Sequence, residues 1–264
     1  MKWIKRLLLA GALLYVLACA VLYFAQERLL FHPTVRPAGY VYGRGAEEIT
    51  LRAADDVTLS ALHYPRPGAT GAVLFLHGNT GDAGRAAYQA RAAAAAGCEL
   101  LIPDYRGFGK SGGRPASAAQ LNADAQLAYD FLRQRFAEDR ISVVGYSLGT
   151  GLASHLAAGN DPARLVLVAP YASLRAMKNI WFWMVPDFIF KYDLDNAADL
   201  ARSRCPVTIL HGDADRLIPY TMAEELHAVD SSRIELRLLD GVSHRGVILR
   251  PEFSSVLGGI CDGR

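Results

Sequence analysis

The sequence predicts an α/β fold, in which helices cover both faces of a mostly parallel sheet, preceded by one transmembrane helix. Three observations lead to this prediction. Short apolar runs typical of buried strands alternate with helical stretches along most of the chain. Several of these runs end in loops rich in glycine and polar residues, as expected where parallel strands end at one edge of a sheet. Near the N-terminus, residues 7–25 contain no charged side chain, and about 20 apolar residues suffice for a helix to cross a bilayer.

The charges around this apolar stretch predict its orientation. Residues 1–6 carry three basic side chains, whereas Glu27 and Arg28 after the stretch roughly cancel. Excess positive charge stays on the cytoplasmic side of a membrane. We therefore predict a single-pass protein of the cell (inner) membrane, with residues 1–6 in the cytoplasm and the remaining domain in the periplasm.

Processing of this segment is an alternative to a permanent anchor. Residues 18–20 read Ala-Cys-Ala, which resembles a signal peptidase site, and Cys19 is a candidate for lipidation. We favour an uncleaved anchor over residues 7–25, because this stretch is longer than a usual signal peptide core. Residues 26–46 are then the predicted linker, and residues 47–264 the predicted domain, long enough to bury a substantial core.

The first half of this domain contains two candidate loops and two helices. The apolar residues 72–76 predict a buried strand that ends in His-Gly-Asn at residues 77–79. A second glycine-containing loop occupies residues 104–111. The clearest helical stretches are residues 85–96 and 116–136.

The most informative motif follows the next apolar run. Residues 141–144 predict a strand, and residues 145–149 read Gly-Tyr-Ser-Leu-Gly. In a strand–G-x-S-x-G–helix setting, the serine lies on a strained turn with its hydroxyl above the end of the sheet. The flanking glycines avoid collisions that a Cβ atom would make with the neighbouring elements. Ser147 is therefore a candidate nucleophile.

A serine nucleophile needs a base and a carboxylate that orients this base, here in the chain order serine, acid, histidine. Downstream of Ser147, the strand-like residues 207–210 lead into Asp213 and Asp215. The next strand-like run then leads into His244. These candidates all follow strand ends, so we expect them to converge at one edge of the sheet.

Together these five motifs resemble the α/β-hydrolase superfamily from about residue 47 to the end of the sequence. Within it, the nearer resemblance is to small membrane-anchored serine hydrolases with an S33-like domain, whose relatives include lysophospholipase-like and depalmitoylase-like esterases. The resemblance implies the α/β-hydrolase fold. It also implies a short cap insertion at residues 171–205.

The resemblance assigns roles to these residues. Ser147 is the expected nucleophile, and His244 is the expected base, which later protonates the leaving group. Asp215 matches the family's acid, whereas Asp213 is expected to shape the turn through hydrogen bonds to the backbone. Asp240 is the weaker alternative for the acid, because it lies close to His244 in sequence.

The backbone N–H groups of Leu148 and Asn79 are the expected donors of the oxyanion hole. Because backbone atoms would carry this role, we expect the side chain of Asn79 to matter little. The remaining polar residues of the motifs are expected to brace the loops: His77, Asp104, Arg106, Ser111 and His211.

Composition and charge exclude several function classes. The 28 basic and 26 acidic residues give no signature of nucleic-acid binding. Four cysteines fit no metal-site spacing, so we predict neither a metal nor a cofactor. The cysteines are expected to be free thiols, with a Cys205–Cys261 disulfide as the alternative. No cluster of arginines suggests a phosphate or carboxylate clamp.

We therefore predict a membrane-anchored serine hydrolase that cleaves ester or thioester bonds of small apolar acyl substrates through an acyl-enzyme on Ser147. Residues 181–190 of the cap are rich in aromatic side chains, which have two interpretations. In the first, they line an acyl pocket or enter the bilayer. In the second, they pack on their own domain. A serine peptidase with the same triad and a non-catalytic scaffold are the alternatives. The sequence predicts no oligomeric state.

Overall fold

Helices and strands alternate along the chain as the sequence predicts. A computed structural model describes residues 1–43, 45–95 and 97–260. The elements in chain order are α1 (Lys2–Leu30), β1 (His32–Pro33), β2 (Glu47–Arg52), β3 (Thr58–Tyr64), β4 (Ala72–Leu76), β5 (Thr80–Gly81), α2 (Ala83–Ala95), β6 (Glu99–Pro103), α3 (Ala118–Arg133), β7 (Ile141–Tyr146), α4 (Gly149–Gly159), β8 (Arg164–Val168), α5 (Leu174–Phe182), α6 (Asn196–Leu200), β9 (Val207–Gly212), α7 (Thr221–Val229), β10 (Ile234–Leu239) and α8 (Pro251–Gly258).

The main sheet has the strand order β10-β9-β8-β7-β4-β6-β3-β2 within the described residues. Strand β3 is antiparallel to both of its neighbours, and the other pairs are parallel. Every residue of β4, β6, β7 and β9 is buried. Strands covered on both faces read as continuous apolar runs, which is why the sequence signal for them is strong. The predicted α/β arrangement is confirmed.

The two faces of the sheet form two apolar clusters. Helices α2 and α8 cover one face, and helices α3, α4, α6 and α7 cover the other. Helix α3 begins at Ala118, where the Ser117 hydroxyl accepts a hydrogen bond from the N–H of Gln120, a common N-cap arrangement. These layers hold the C-terminal ends of the parallel strands, and the loops that follow them, in fixed positions.

Helix α1 is long, apolar and exposed. Its 29 residues span about 43 Å at a rise of about 1.5 Å per residue, more than the roughly 30 Å of a bilayer's hydrocarbon core. Its most apolar part has no buried residue, and by length and composition it can cross a membrane. The helix includes the predicted anchor at residues 7–25 and continues to Leu30.

The segment after α1 lies on the domain. Strand β1 pairs in parallel with β5, and Val35 forms a bridge with Gly109. Phe31 is buried, and its ring packs against the rings of Phe108 and Tyr192. The end of α1 is thereby attached to the loops that follow β4 and β6.

The insertion between β8 and β9 forms a cap from α5, a short 3₁₀ turn at Asp187–Ile189, and α6. The ammonium group of Lys178 donates to the carbonyl of Val185 and to the carboxylate of Asp187, and so holds the turn against α5.

The cysteines differ from the expectation of free thiols. Cys98 is disulfide-bonded, so that expectation is wrong there. Cys205 is free and buried, which excludes the alternative Cys205–Cys261 bridge, and Cys261 itself lies outside the described residues. Burial raises the pKa of the Cys205 thiol to about 11, so this thiol is protonated and unreactive at neutral pH.

Candidate active site

Ser147 lies between the end of β7 and the start of α4. Its φ of 51° is in the left-handed region, which is strained for a residue with a Cβ atom. A hydrogen bond of 2.9 Å from its N–H to the carbonyl of Val168 ties the turn to β8. The strained turn places the hydroxyl group at the C-terminal edge of the sheet, as the motif predicts.

The glycines around Ser147 are required by close packing. A Cβ on Gly149 would lie 2.1 Å from the carbonyl oxygen of Leu76, and one on Gly145 would lie 2.6 Å from the carbonyl oxygen of Gly149. Both neighbours are backbone atoms, which cannot move aside without distorting β4 or the turn itself. The turn therefore depends on glycine at both positions.

The structure brings Ser147, His244 and Asp215 together. The distance from Ser147 Oγ to His244 Nε2 is 3.0 Å, and that from His244 Nδ1 to Asp215 Oδ2 is 2.7 Å. The Asp215 side chain is fully buried, whereas that of His244 is 12% exposed. With Nδ1–H donating to Asp215, Nε2 is free to accept the hydroxyl proton of Ser147. This geometry suits a nucleophile, a base and an orienting carboxylate.

The surroundings of Asp215 favour its ionised form. Burial by itself would raise the pKa of Asp215, but hydrogen bonds from His211, His244 and the N–H of Ile218 outweigh it and lower the pKa. Its Oδ1 accepts hydrogen bonds from the N–H groups of Leu217 and Ile218 at 2.8 and 2.9 Å. The carboxylate is thus held as an acceptor for His244.

The two other candidate carboxylates have different positions. Asp213 Oδ1 accepts a hydrogen bond of 2.7 Å from the N–H of Gly241, and so links the loop after β9 to the loop after β10. Asp240 is exposed, and the carboxylate bound to His244 is that of Asp215.

The expected oxyanion donors lie at the same edge. Within the described part of the chain, the backbone N–H groups of Asn79 and Leu148 donate to no protein acceptor, and both residues border the cavity at Ser147. Free N–H groups beside a nucleophile can bind a developing oxyanion. Beneath them, the His77 ring packs 4.3 Å from the Tyr105 ring, and the Tyr105 hydroxyl donates to the carbonyl of His77.

The loop of residues 104–111 is braced through buried polar contacts. Arg106 donates to the carboxylates of Asp124 and Asp55. Asp104 Oδ1 accepts from the N–H of Ala83 at 2.6 Å, and the Ser111 hydroxyl donates to the carbonyl of Asp104. These contacts hold the loop beside α2 and provide no group that acts on Ser147.

An apolar cavity of about 300 Å³ opens onto Ser147. Its walls come from α1, from the cap and from the loops after β4, β7 and β9: Leu22, Gln26, Leu29, Leu30, Asn79, Ser147, Leu148, Tyr171, Leu174, Met177, Lys178, Phe182, Val185, Ile189, Phe190, Leu217 and Ile218. A cavity of this size and polarity suits an acyl chain. The contribution of α1 to this wall is absent from the sequence-based prediction, which treats the helix only as an anchor.

The aromatic residues of the cap divide between two environments. Phe182 and Phe190 line the cavity. Trp183 and Phe188, in contrast, point outward and are 73% and 86% exposed. The cap is therefore both a cavity wall and an exposed apolar surface.

A smaller polar cavity of about 50 Å³ lies on the other side of Ser147, next to His244. Arg85 and Arg245 both border it, and both are exposed. The sequence shows no cluster of arginines that suggests a phosphate or carboxylate clamp, but the fold brings these two residues, from α2 and from the loop after β10, to one cavity. Spacing along the chain gives no signal of this proximity.

A buried network supports the turn from below. The Asn196 side chain donates to Thr150 Oγ1 and to the carbonyl of Tyr171, and it accepts from the Ser154 hydroxyl. Thr150 Oγ1 in turn donates to the carbonyl of Ser147. The fully buried Asn196 is a supporting residue that sequence reasoning missed.

No group of three or more histidine, cysteine, aspartate or glutamate side chains in the described residues is arranged to hold a metal ion.

Comparison with known families and relatives adds to this geometry. The model of a family described as serine aminopeptidase, S33, matches residues 67–198. An uncharacterized protein of Mycobacterium tuberculosis (strain H37Rv) is 30% identical over 244 residues, which cover 88% of this chain and 86% of that protein. The lysophosphatidylserine lipase ABHD12 of Danio rerio is 29% identical over 178 residues, which cover 59% of this chain and 46% of the lipase.

A solved structure of similar shape is an esterase from Pyrococcus furiosus. It has a TM-score of 0.70 and 20% sequence identity, and the match covers 88% of this chain and 97% of the esterase. At this identity the likeness shows the fold, and it confirms the predicted arrangement of sheet and helices.

Proposed function

The chain belongs to the α/β-hydrolase superfamily, and from this premise we propose that it is a membrane-anchored serine hydrolase. Its substrates are carboxylic esters or thioesters with an apolar acyl chain. The observation that carries the proposal is the apolar cavity that ends at Ser147, whose Oγ lies 3.0 Å from His244 Nε2.

In the first half of the proposed reaction, Ser147 Oγ attacks the acyl carbonyl carbon while His244 Nε2 takes the hydroxyl proton. The N–H groups of Asn79 and Leu148 bind the oxyanion of the tetrahedral intermediate. As this intermediate collapses, the bond to the leaving group breaks, and His244 gives its proton to the departing alcohol or thiol. The acyl group remains as an ester on Ser147.

In the second half, water attacks the acyl-enzyme, and His244 removes its proton. Collapse of the second intermediate releases the carboxylic acid and returns the proton to Ser147. Asp215 stays ionised throughout, and stabilises the imidazolium of His244. The low pKa of Asp215 is consistent with this role.

The two cavities suggest how an ester is oriented. The larger one is apolar and suits the acyl chain, whereas the smaller one adjoins His244, which must reach the leaving group. Arg85 and Arg245 at the smaller cavity favour a leaving group with negative charge. The similarity to a lysophosphatidylserine lipase also supports an acyl ester with a charged head group.

The membrane location rests on α1 and on the redox state of the domain. Residues 7–25 are uncharged and follow a basic tip, which favours a cytoplasmic N-terminus. The disulfide at Cys98 supports a periplasmic domain, because disulfides persist in oxidising compartments.

The cap extends beside this helix toward the membrane. The Tyr15 hydroxyl, in the middle of the predicted span, donates to the carbonyl of Met184 at 2.7 Å. Met184 and Trp183 are exposed at this end of the cap. These contacts favour the interpretation in which the tip of the cap dips into the bilayer.

A serine peptidase is the second candidate, favoured by the description of the matching family. A peptidase of this kind needs a charged group to hold a peptide terminus. The larger cavity is lined almost wholly by apolar side chains, and the ammonium group of Lys178 on its wall is engaged by Asp187. This lining favours acyl esters over peptides. A scaffold without activity would not need the assembled geometry of Ser147, His244 and Asp215.

The test is hydrolysis of p-nitrophenyl esters, from acetate to palmitate, by the detergent-solubilised full chain. We expect turnover by the unaltered chain, and none above background by Ser147→Ala. Equal activity of the two proteins, or no hydrolysis of any ester, would contradict the proposal. Hydrolysis of N-terminal amino-acid anilides in place of esters would favour the peptidase.

A further inference from the structure

Helix α1 provides one wall of the cavity at Ser147. Leu22, Gln26, Leu29 and Leu30 line the cavity, and their spacing places them on one face of the helix. The cap and the loops after β4, β7 and β9 provide the other walls. Without α1 against the domain, the cavity at Ser147 would lack one of its walls.

A buried amide fixes the position of α1 against the cap. Gln26 is 7% exposed, and its Nε2 donates to the carbonyl of Ile189 at 2.9 Å. Its Oε1 accepts a hydrogen bond of 2.9 Å from the N–H of Lys191. A buried amide needs both kinds of partner, so a shift or rotation of the helix would leave polar groups unpaired.

Further contacts lie on the adjacent side of α1. Glu27 accepts hydrogen bonds from the Lys191 ammonium at 3.0 Å and from the Tyr192 hydroxyl at 3.1 Å. The same ammonium group lies 4.2 Å from the centre of the Tyr23 ring. A flexible tether to a membrane would need none of these contacts, whereas a wall of a binding site needs a fixed distance from the opposite wall.

The C-terminal end of α1 is attached to the expected oxyanion loop. Asn79 Nδ2 donates to the carbonyl of Leu30 at 2.8 Å, and the carbonyl of Asn79 accepts from the N–H of His32 at 2.8 Å. Asn79 borders the cavity, and its backbone N–H is an expected oxyanion donor that has no protein acceptor within the described residues. The helix end and the donor therefore keep a constant relative position.

We infer that α1 is part of the substrate-binding site. It forms the wall that limits the length of the acyl chain, and it supports the Asn79 loop. The inference rests on the proposed function. It assigns Leu22 as a residue that determines chain-length specificity. Among the residues of α1 that border the cavity, Leu22 is the one within the predicted span at residues 7–25. The substrate class is a long-chain acyl ester that lies in the same membrane as α1.

Chain-length profiles of Leu22 variants of the full chain test this inference. We expect Leu22→Trp to fill the cavity and to lower the ratio of kcat/KM for palmitate esters to kcat/KM for acetate esters by roughly tenfold or more. Leu22→Ala enlarges the cavity and should shift the preference toward longer chains. Val21→Trp is the matched control, because Val21 is the neighbouring residue, 58% exposed, and should leave the profile unchanged.

A binding measurement tests the same wall without turnover. Palmitate that binds the folded Ser147→Ala protein in detergent raises its unfolding temperature. We expect this rise to persist when Val21→Trp is added and to disappear when Leu22→Trp is added. An equal rise in both double variants, or no rise in Ser147→Ala itself, would overturn the inference.

The two measurements separate the inference from the proposed function. Absence of ester turnover by the unaltered chain contradicts the proposed function, and the palmitate measurement then decides on α1 alone. Ester turnover with identical chain-length profiles for Leu22→Trp and Val21→Trp contradicts the role of α1 and leaves the proposed function intact.

Discussion

Asn79 and Leu30 are joined by a hydrogen bond of 2.8 Å between the amide nitrogen of one side chain and the last helical carbonyl of α1. The final carbonyls of a helix have no partner inside the helix, so a side-chain donor at this place stabilises its end. The expectation that the Asn79 side chain matters little considers only its backbone N–H. The structure gives the side chain a task of its own, which is to join the helix to the loop.

We therefore predict that Asn79→Ala lowers both activity and stability. Loss of one hydrogen bond is expected to cost about 1 kcal/mol of unfolding free energy. If the Asn79 N–H is held less firmly, kcat is expected to fall roughly tenfold for short and long esters alike. This effect is smaller than the loss of roughly 3 kcal/mol of transition-state stabilisation that follows when a donor is removed outright. Ester kinetics and thermal unfolding in detergent measure the two effects.

Asn160→Ala is the matched control for this change. Asn160 Nδ2 donates to the carbonyl of Leu156 at the end of α4, remote from Ser147, and the Asn160 amide also exchanges hydrogen bonds with the Gln126 side chain. Its loss should lower stability at least as much as the loss of Asn79 and leave kcat unchanged. If both variants keep full kcat, the Asn79 side chain does not position the donor.

A second prediction decides which carboxylate orients His244. Asp215→Asn keeps the size of the side chain but favours the wrong tautomer of His244, and should lower kcat by on the order of 10³- to 10⁴-fold. Asp240→Asn, at the exposed alternative, should have no measurable effect. Comparable losses in the two variants would contradict the role of Asp215.

The ionisation of Asp215 also predicts how stability depends on pH. Folding lowers the pKa of Asp215, so its ionised form stabilises the folded state above its ordinary pKa, and this contribution is lost as the pH falls toward the lowered value. The difference in unfolding temperature between the unaltered chain and Asp215→Asn should therefore shrink as the pH falls below about 4. A difference that grows on acidification would have the wrong sign for this account.

Local sequence patterns were sufficient for the central sheet and for the order of the three candidate catalytic residues. Strands β4, β7 and β9 are buried on both faces, so their apolar runs mark them, and the strained turn at Ser147 needs glycines that are visible in the sequence. Such signals arise from neighbouring residues in the chain. They can therefore be recognised without knowledge of tertiary contacts.

Other parts of the site depend on contacts between distant segments. Gln26 on α1 bonds to Ile189 in the cap, and a glutamine near the end of an apolar stretch suggests only the membrane surface. Asn196 is buried beneath the turn by the packing of α4 on α6, which no periodicity in the sequence reveals. The position of both Arg85 and Arg245 at one cavity depends likewise on the packed fold.

This pair of arginines gives the fourth prediction. In the variant Arg85→Ala/Arg245→Ala, the KM for acyl esters with a phosphate-bearing leaving group should rise roughly tenfold, because two charge-assisted contacts are lost. The KM for uncharged p-nitrophenyl esters should stay the same. Arg114→Ala, which removes an exposed arginine outside this cavity, is the control. An equal change for charged and uncharged esters would remove the pair from the leaving-group site.

The fifth prediction concerns the depth of the cap in the membrane. Tyr15 bonds to Met184 and lies ten residues before the predicted outer end of the span at Ala25, which corresponds to about 15 Å along the helix. If α1 crosses the bilayer as predicted, Trp183 must lie among the acyl chains of the outer leaflet. Its emission should then be quenched by brominated lipids in nanodiscs, in a variant with Trp3→Phe and Trp181→Phe.

The depth measurement needs a reference tryptophan in water. Tyr88 on α2 is 63% exposed, and a Tyr88→Trp protein without the native tryptophans supplies this reference. Bromines at mid-depth should quench Trp183 strongly and the reference hardly at all. Equal quenching of Trp183 and the reference tryptophan would mean that the cap lies above the membrane. Because Tyr15 is bonded to Met184 in the cap, the membrane-embedded part of α1 would then have to end before Tyr15. Such a short span cannot cross a bilayer of about 30 Å, so this outcome would also contradict the transmembrane assignment.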